Sequence, residues 1–201
     1  MQGPPMLKLL IALLAAMLIW KLLLQDDAIE LGPGVHAAGL PVQKQLESPR
    51  SFDHAGYRVT PLAEFSIRAK VLSRENYSQG RESDLSPIDL ALGWGRMSDE
   101  AVLQHIEISQ SGRWYRWRTE RFPIPRREIE THSANMHMIP ADDPVSDILG
   151  GIRRGQIIEL DGFLVRADAD DGWRWISSLT REDTGARSCE LVYVKRARIV
   201  E

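Results

Sequence analysis

Cysteine is almost absent from this chain of 201 residues, and its one thiol, Cys189, has no second thiol with which to close an intramolecular disulfide. A disulfide-built secreted scaffold is therefore excluded, although an extracytoplasmic location is not, because many envelope domains contain no bridge. No Walker A loop, dinucleotide fingerprint or paired Cys-x-x-Cys occurs, which leaves phosphate-loop, dinucleotide and dithiol chemistry without a motif, and no cofactor is implied. A G-x-S-x-G elbow and an S-x-x-K pair are missing too. There is neither an internal repeat nor a low-complexity tract, so solenoid and low-complexity architectures drop out.

Basic charge is not in excess either. The chain carries a net charge of −3 with His neutral, and setting aside Lys8 and Lys21 leaves 23 basic against 28 acidic residues, a net of about −5. That balance argues against nucleic acid as the first choice of partner.

Long hydrophobic runs are also scarce, with one exception at the N-terminus. LKLLIALLAAMLIWKLLL, Leu7 to Leu24, holds an uninterrupted apolar stretch from Leu9 to Trp20 bracketed by Lys8 and Lys21. As a helix it is roughly 27 Å long, enough for a bilayer core if both lysines extend outward. The following residues, WKLLLQDDA, offer no small-x-small cleavage site, and the apolar stretch has no polar stripe. The expectation is a retained single-pass anchor, residues 1–24, in the cell membrane, with the short N-terminal tail in the cytoplasm and the remaining chain outside.

Residues 25–56, rich in Gly and Pro, read as a linker or extended strap, and residues 57–201 as one globular domain. Roughly 150 residues is a typical single domain. Phe65, Ile67, Ala69 and Val71 alternate with polar residues as in a half-buried strand. A short helical stretch is expected over Asp89 to Leu92, and Ser98 is expected to cap another helix. A hairpin is expected with its turn at Ser111-Gly112. Asp143 is expected to cap a helix carrying Val145, Ile148, Leu149 and Ile152 on one face. Strand-like runs follow at Gln156 to Leu160, Phe163 to Ala167 and Leu191 to Val200, with Asp161-Gly162 as a turn signal. The fold class is α+β, mostly antiparallel β with short helices, and either a small OB-like barrel or an open sheet accommodates the C-terminal strands.

Three stretches, SPIDLALGWGRMSD (Ser86 to Asp99), HSANMHMIPA (His132 to Ala141) and SSLTREDTGARSCE (Ser177 to Glu190), resemble an uncharacterised family of bacterial membrane-anchored proteins. The resemblance implies a bacterial source and brings no activity, cofactor or catalytic residue.

Two functional classes remain. The first is a non-enzymatic, membrane-anchored binding module of the envelope, with a protein or an anionic envelope component as its partner. Asn135, His137, Arg181, Asp183 and Thr184 are the candidate polar contacts, because side chains seeking hydrogen bonds at a core edge must find partners. Arg116 and Arg118, set among Trp114, Tyr115 and Trp117, are the candidate anion contacts, although sheet alternation alone would give a solvated basic face. The second class is an envelope hydrolase using Cys189 with His137 as base and Asp183 as orienter, or the Ser/Thr cluster near residue 180. His132 and His137 lie five apart in a non-helical stretch, which does not match zinc-helix spacing, so no metal site is assigned.

Overall fold

Alternation of Phe65, Ile67, Ala69 and Val71 with Ser66, Arg68 and Lys70 builds the longest element, the strand β3 (Tyr57–Asn76), whose apolar side chains point into the core. The structure, a computed structural model, describes residues 28–180 and 189–201. Among these the chain is α+β, mostly antiparallel sheet with a few short helices. One edge of β3 pairs with β8 (Ile157–Asp168) from Arg58 to Lys70, and the other pairs with β4 (Ile88–Gly93) from Lys70 to Asn76. From β4 the sheet continues antiparallel to β7 (Ser133–Pro140), then parallel to β10 (Glu190–Ile199), which lies antiparallel to β8. Since β8 pairs with β3, the five strands close into a ring. Ile67, Leu90, Leu92, Trp94, Met136, Met138, Leu164 and Val192 are packed within its principal core.

A glycine permits that closure. Gly162 is opposite Phe65 on one side and Val194 on the other, and a Cβ there would lie 1.9 Å from the Tyr193 carbonyl oxygen. The Asp161-Gly162 turn signal is thus a close crossing within one continuous strand.

Residues 28–56 run against the domain. β1 (Val42–Gln45) and β2 (Phe52–His54) pair with the edge of β3 ahead of β4, covering backbone groups that would otherwise be an open edge. Upstream, Leu31 and Gly32 donate backbone N–H bonds to the Glu100 carboxylate at 2.8 and 2.9 Å, and Lys70 meets the same carboxylate at 2.7 Å. The apolar segment Leu7–Leu24 lies outside the described residues; among the described residues no helix is long and apolar enough to cross a membrane.

Local expectations are corrected in four places. Asp89 to Leu92 is not helical: it lies in β4, where tertiary pairing on both edges overrides local pattern. The hairpin of β5 (Glu107–Ser111) and β6 (Trp114–Arg118) turns at Gly112-Arg113, with φ of 57° and 68°, one residue later than Ser111-Gly112. Two positive φ angles give the turn whose twist matches a hairpin. Helix α1 (Arg81–Leu85) precedes β4, and α2 (Glu100–Leu103) is capped by Asp99, whose carboxylate accepts the Ala101 N–H, while Ser98 lies in the preceding 3-10 turn. After α3 (Arg126–Thr131), helix α4 (Asp143–Gly151) is capped by Asp142 in place of Asp143, with the Val145 N–H as donor. Val145, Leu149 and Ile152 are buried from this helix and its end, whereas Ile148 is exposed.

Trp94 follows β4 and is buried in the principal core. Gly93 makes this possible, because a Cβ there would lie 2.3 Å from the Met97 carbonyl oxygen. Trp94→Ala is expected to cost ~3–5 kcal/mol, the range for large aromatic truncations in cores. Urea denaturation of the variant checks it, and a loss below about 1 kcal/mol contradicts a core role.

Candidate functional site

Period-two geometry sends Leu90 and Leu92 of β4 and Met136 and Met138 of β7 into the principal core, leaving Asp89 and Ala91, with Asn135 and His137, for the opposite face. The register sets Asp89 directly across from His137 and Ala91 across from Asn135. This outer face is covered, and the Asp89 side chain has no exposed surface. A buried carboxylate is costly without charged and hydrogen-bonding partners, and three side chains supply them. Arg113 Nη1 donates to Oδ1 at 2.7 Å, Asn135 Nδ2 donates to Oδ2 at 3.4 Å, and His137 Nδ1 lies 2.9 Å from Oδ1. The last contact is close but off the axis of a ring N–H.

Arg113 comes from the β5–β6 turn and is held through its backbone N–H, its carbonyl and its guanidinium. Its backbone N–H donates to the Tyr77 hydroxyl at 2.9 Å, and its carbonyl accepts from Asn135 Nδ2 at 3.2 Å. The guanidinium lies over the Tyr77 ring at 3.8 Å and over the Trp175 ring at 5.6 Å. A non-glycine residue at φ 68° is strained, and these contacts are what hold it there. Trp175, from β9 (Arg174–Ile176), packs against His137 with ring centroids 4.8 Å apart. Gln110 Nε2 donates to Asn135 Oδ1 at 2.6 Å and so orients the amide.

Cys189 completes the group. The parallel register sets Glu190 opposite Met136, which brings Cys189 beside Asn135, and Asn135 Nδ2 directs an N–H at Cys189 Sγ over 4.0 Å. The thiol is half-buried. Leu191 pairs with His137, so Cys189, two residues earlier, shares the face on which His137 turns its Nδ1 to Asp89. Burial works to lower the His137 pKa, but the neighbouring Asp89 carboxylate and Cys189 sulfur outweigh it, and the net shift is upward. Burial also raises the Tyr77 pKa, which keeps its hydroxyl protonated.

Of the residues singled out in the sequence, Asn135, His137 and Cys189 converge here. Arg181, Asp183 and Thr184 lie outside the described residues. Arg116 and Arg118 are exposed on the solvent face of β6, bonded to Ser111 and Glu107, while Tyr115 and Trp117 pack beneath. His132 stands apart from His137, against Trp94 at 6.4 Å, and among the described residues no three metal-binding side chains cluster. Asp89, Arg113, Tyr77 and Trp175 were not singled out as site residues. The isolated Asp in the apolar run Ile88 to Leu92 is the signal that could have found the first of them.

No family model, curated protein or solved structure matches the chain.

The His137 shift has a direct consequence for stability. An imidazole whose native pKa exceeds its unfolded value of about 6.5 contributes stability that is fully present below that pH and is lost as pH rises through the native value. His54, whose pKa burial lowers, acts in the opposite sense. The difference in unfolding free energy between wild type and His137→Gln, measured in urea, is expected to shrink as pH rises above about 6.5. A difference independent of pH contradicts the assignment.

Proposed function

We propose that this protein is a membrane-anchored, extracytoplasmic binding module whose ligand lies along the rim where Tyr77, Arg113, Trp173 and Trp175 border the covered outer face of β4 and β7, on an OB-type barrel. The observation that carries the reading is the position of the polar cluster within the ring. Counting from β3, the ring's strands in chain order are β3, β4, β7, β8 and β10; β7 and β10, the third and fifth, pair in parallel, and α4 fills the connection from third to fourth. In OB-type Greek-key barrels, ligands are taken on the face of the second and third strands and by the loops that join first to second and fourth to fifth. Here the second and third strands bring Asp89, Asn135 and His137, the first connection brings Tyr77, and the last brings Trp175 and Cys189.

Aromatic and cationic groups line up along this rim. Arg81 lies over Trp173, Trp173 meets Trp175, and Arg113 lies between Trp175 and Tyr77. Flat aromatic surfaces beside guanidinium groups suit a chain of sugar rings bearing negative charge. The ligand class is an anionic envelope saccharide, and the apolar segment Leu7–Leu24 supplies the anchor that keeps the module at the membrane surface.

Titration of the detergent-solubilised chain with a soluble muropeptide disaccharide, followed by tryptophan fluorescence, tests this. A saturable change is expected, weakened at least tenfold in Trp175→Ala and unaffected in Arg118→Ala. The absence of saturable binding, or equal loss in both variants, contradicts the reading.

A further inference from the structure

We propose that the outward face of the β5–β6 ribbon, with the segment that follows it, docks on anionic lipid headgroups and so lays the domain against the bilayer that holds its N-terminal segment. The bilayer at that place rests on the anchor reading of Leu7–Leu24; the charge and exposure of the ribbon stand independently of it.

Period-two geometry decides what the ribbon shows to solvent. Ser111 is across from Trp114, Ser109 from Arg116 and Glu107 from Arg118, and all six are exposed. The other face carries Ile108, Tyr115 and Trp117 onto the core beneath. One indole and two guanidinium groups therefore stand above a floor of small hydroxyl side chains. Trp114 is 43% exposed and Phe122, just beyond the ribbon, 51%; among the described residues these are the only exposed aromatic side chains.

Charge is concentrated at the same place. From Arg113 to Arg127 there are six arginines and one carboxylate, Glu120, a net of +5 in a chain whose total is −3. Arg113 is turned inward to Asp89, Arg118 meets Glu107 and Arg126 meets Glu130. Arg116 bonds to the Ser111 hydroxyl, and neither it nor Arg121 has a carboxylate partner among the described residues. At the base of the ribbon His105, Arg118 and Arg121 border an open groove of about 570 Å³, room enough for a phosphodiester headgroup. Exposed aromatic rings suit the acyl boundary of a bilayer, and guanidinium groups beside them suit its phosphates.

The path of the chain selects lipid over other anions. Ala28 and Ile29 border one cavity with Gln104, Ile106 and Ile108, where α2 leads into β5. Glu100 fixes this entry by accepting from the Leu31 and Gly32 N–H groups. The apolar segment ends at Leu24, and the four peptide steps from there to Ala28 span at most roughly 14 Å. A bilayer that holds the segment thus lies beside the ribbon.

Cys189→Ser removes the only thiol, after which Ser109→Cys carries a fluorescent label on the ribbon and Asp53→Cys carries one beside Arg58, at the far end of β3 from Lys70 and the strap. Each full-length chain is reconstituted into phosphatidylcholine vesicles containing a nitroxide-bearing quencher lipid, with and without phosphatidylglycerol, and circular dichroism confirms folding. Quenching at position 109 is expected to be at least threefold stronger in the anionic vesicles, and quenching at position 53 weak in both. The difference is expected to vanish in Arg116→Ala/Arg121→Ala and in about 0.5 M salt, which screens exposed charges. Equal quenching at the two positions, no dependence on phosphatidylglycerol, or no effect of the arginine changes overturns the proposal. Protection of the ribbon label by heparin, without quenching on vesicles, assigns the face to a soluble anionic polymer and overturns it as well. Flotation with neutral vesicles tests the anchor separately. A chain that floats with them but shows no quenching at position 109 keeps the anchor and loses the docking. One that floats only with anionic vesicles, and not after both arginine changes, loses the anchor and keeps the docking.

Discussion

The Asp89 carboxylate has no exposed surface, and the outer side of the sheet is organised around that fact. Burying such a group without partners costs several kcal/mol, so whatever covers it must bring charge and hydrogen bonds. The β5–β6 hairpin does so through Arg113, at the expense of a positive φ at a residue with a Cβ. Once Arg113 is inserted, its guanidinium demands aromatic cover from Tyr77 and Trp175, which ties the β3–β4 connection and β9 to the same point. His137 and Asn135 fill the remaining places around the carboxylate, and through them Cys189 joins the network.

The ring makes this convergence possible. Asp89 and His137 are neighbours because β4 and β7 pair antiparallel in one register, and a slip of one residue in either strand would turn that strand's side chain into the apolar interior. Cys189 arrives from far along the chain because β10 returns parallel to β7. Closure in turn depends on Gly162, where Tyr193 backbone occupies the space that a side chain would need. A function read from this face is therefore a function of ring topology as much as of its residues.

Much of the sheet was legible in the amino-acid pattern, since alternation over Phe65 to Val71 and the strand-like runs after Gln156 mark real strands. Other parts misled for identifiable physical reasons. β4 is buried along its whole length, so it shows no alternation, and Asp89 could not be placed on a face. The hairpin turn fell one residue away from its expected position because Arg113 adopts a conformation that its residue type disfavours, held by contacts with Tyr77 and Asn135 that are distant in sequence. Gly162 looked like a turn because a glycine needed for a close backbone crossing and one needed for a turn read alike. His137 and Asn135 were legible, as polar residues between methionines, but their partner could not be: proximity to Asp89 is a product of register, which one sequence does not display.

The account depends most on the coupling between Asp89 and Arg113, and a double-mutant cycle measures it directly. Asp89→Ala, Arg113→Ala and the double variant are compared by urea unfolding. Each single change is expected to cost ~3–5 kcal/mol, because each leaves a buried charge without its partner. The double change should cost at least about 2 kcal/mol less than the sum of the two, within the range for residues in one network. Additive losses would mean that the two side chains do not depend on one another, and that the outer face is not built around the buried carboxylate.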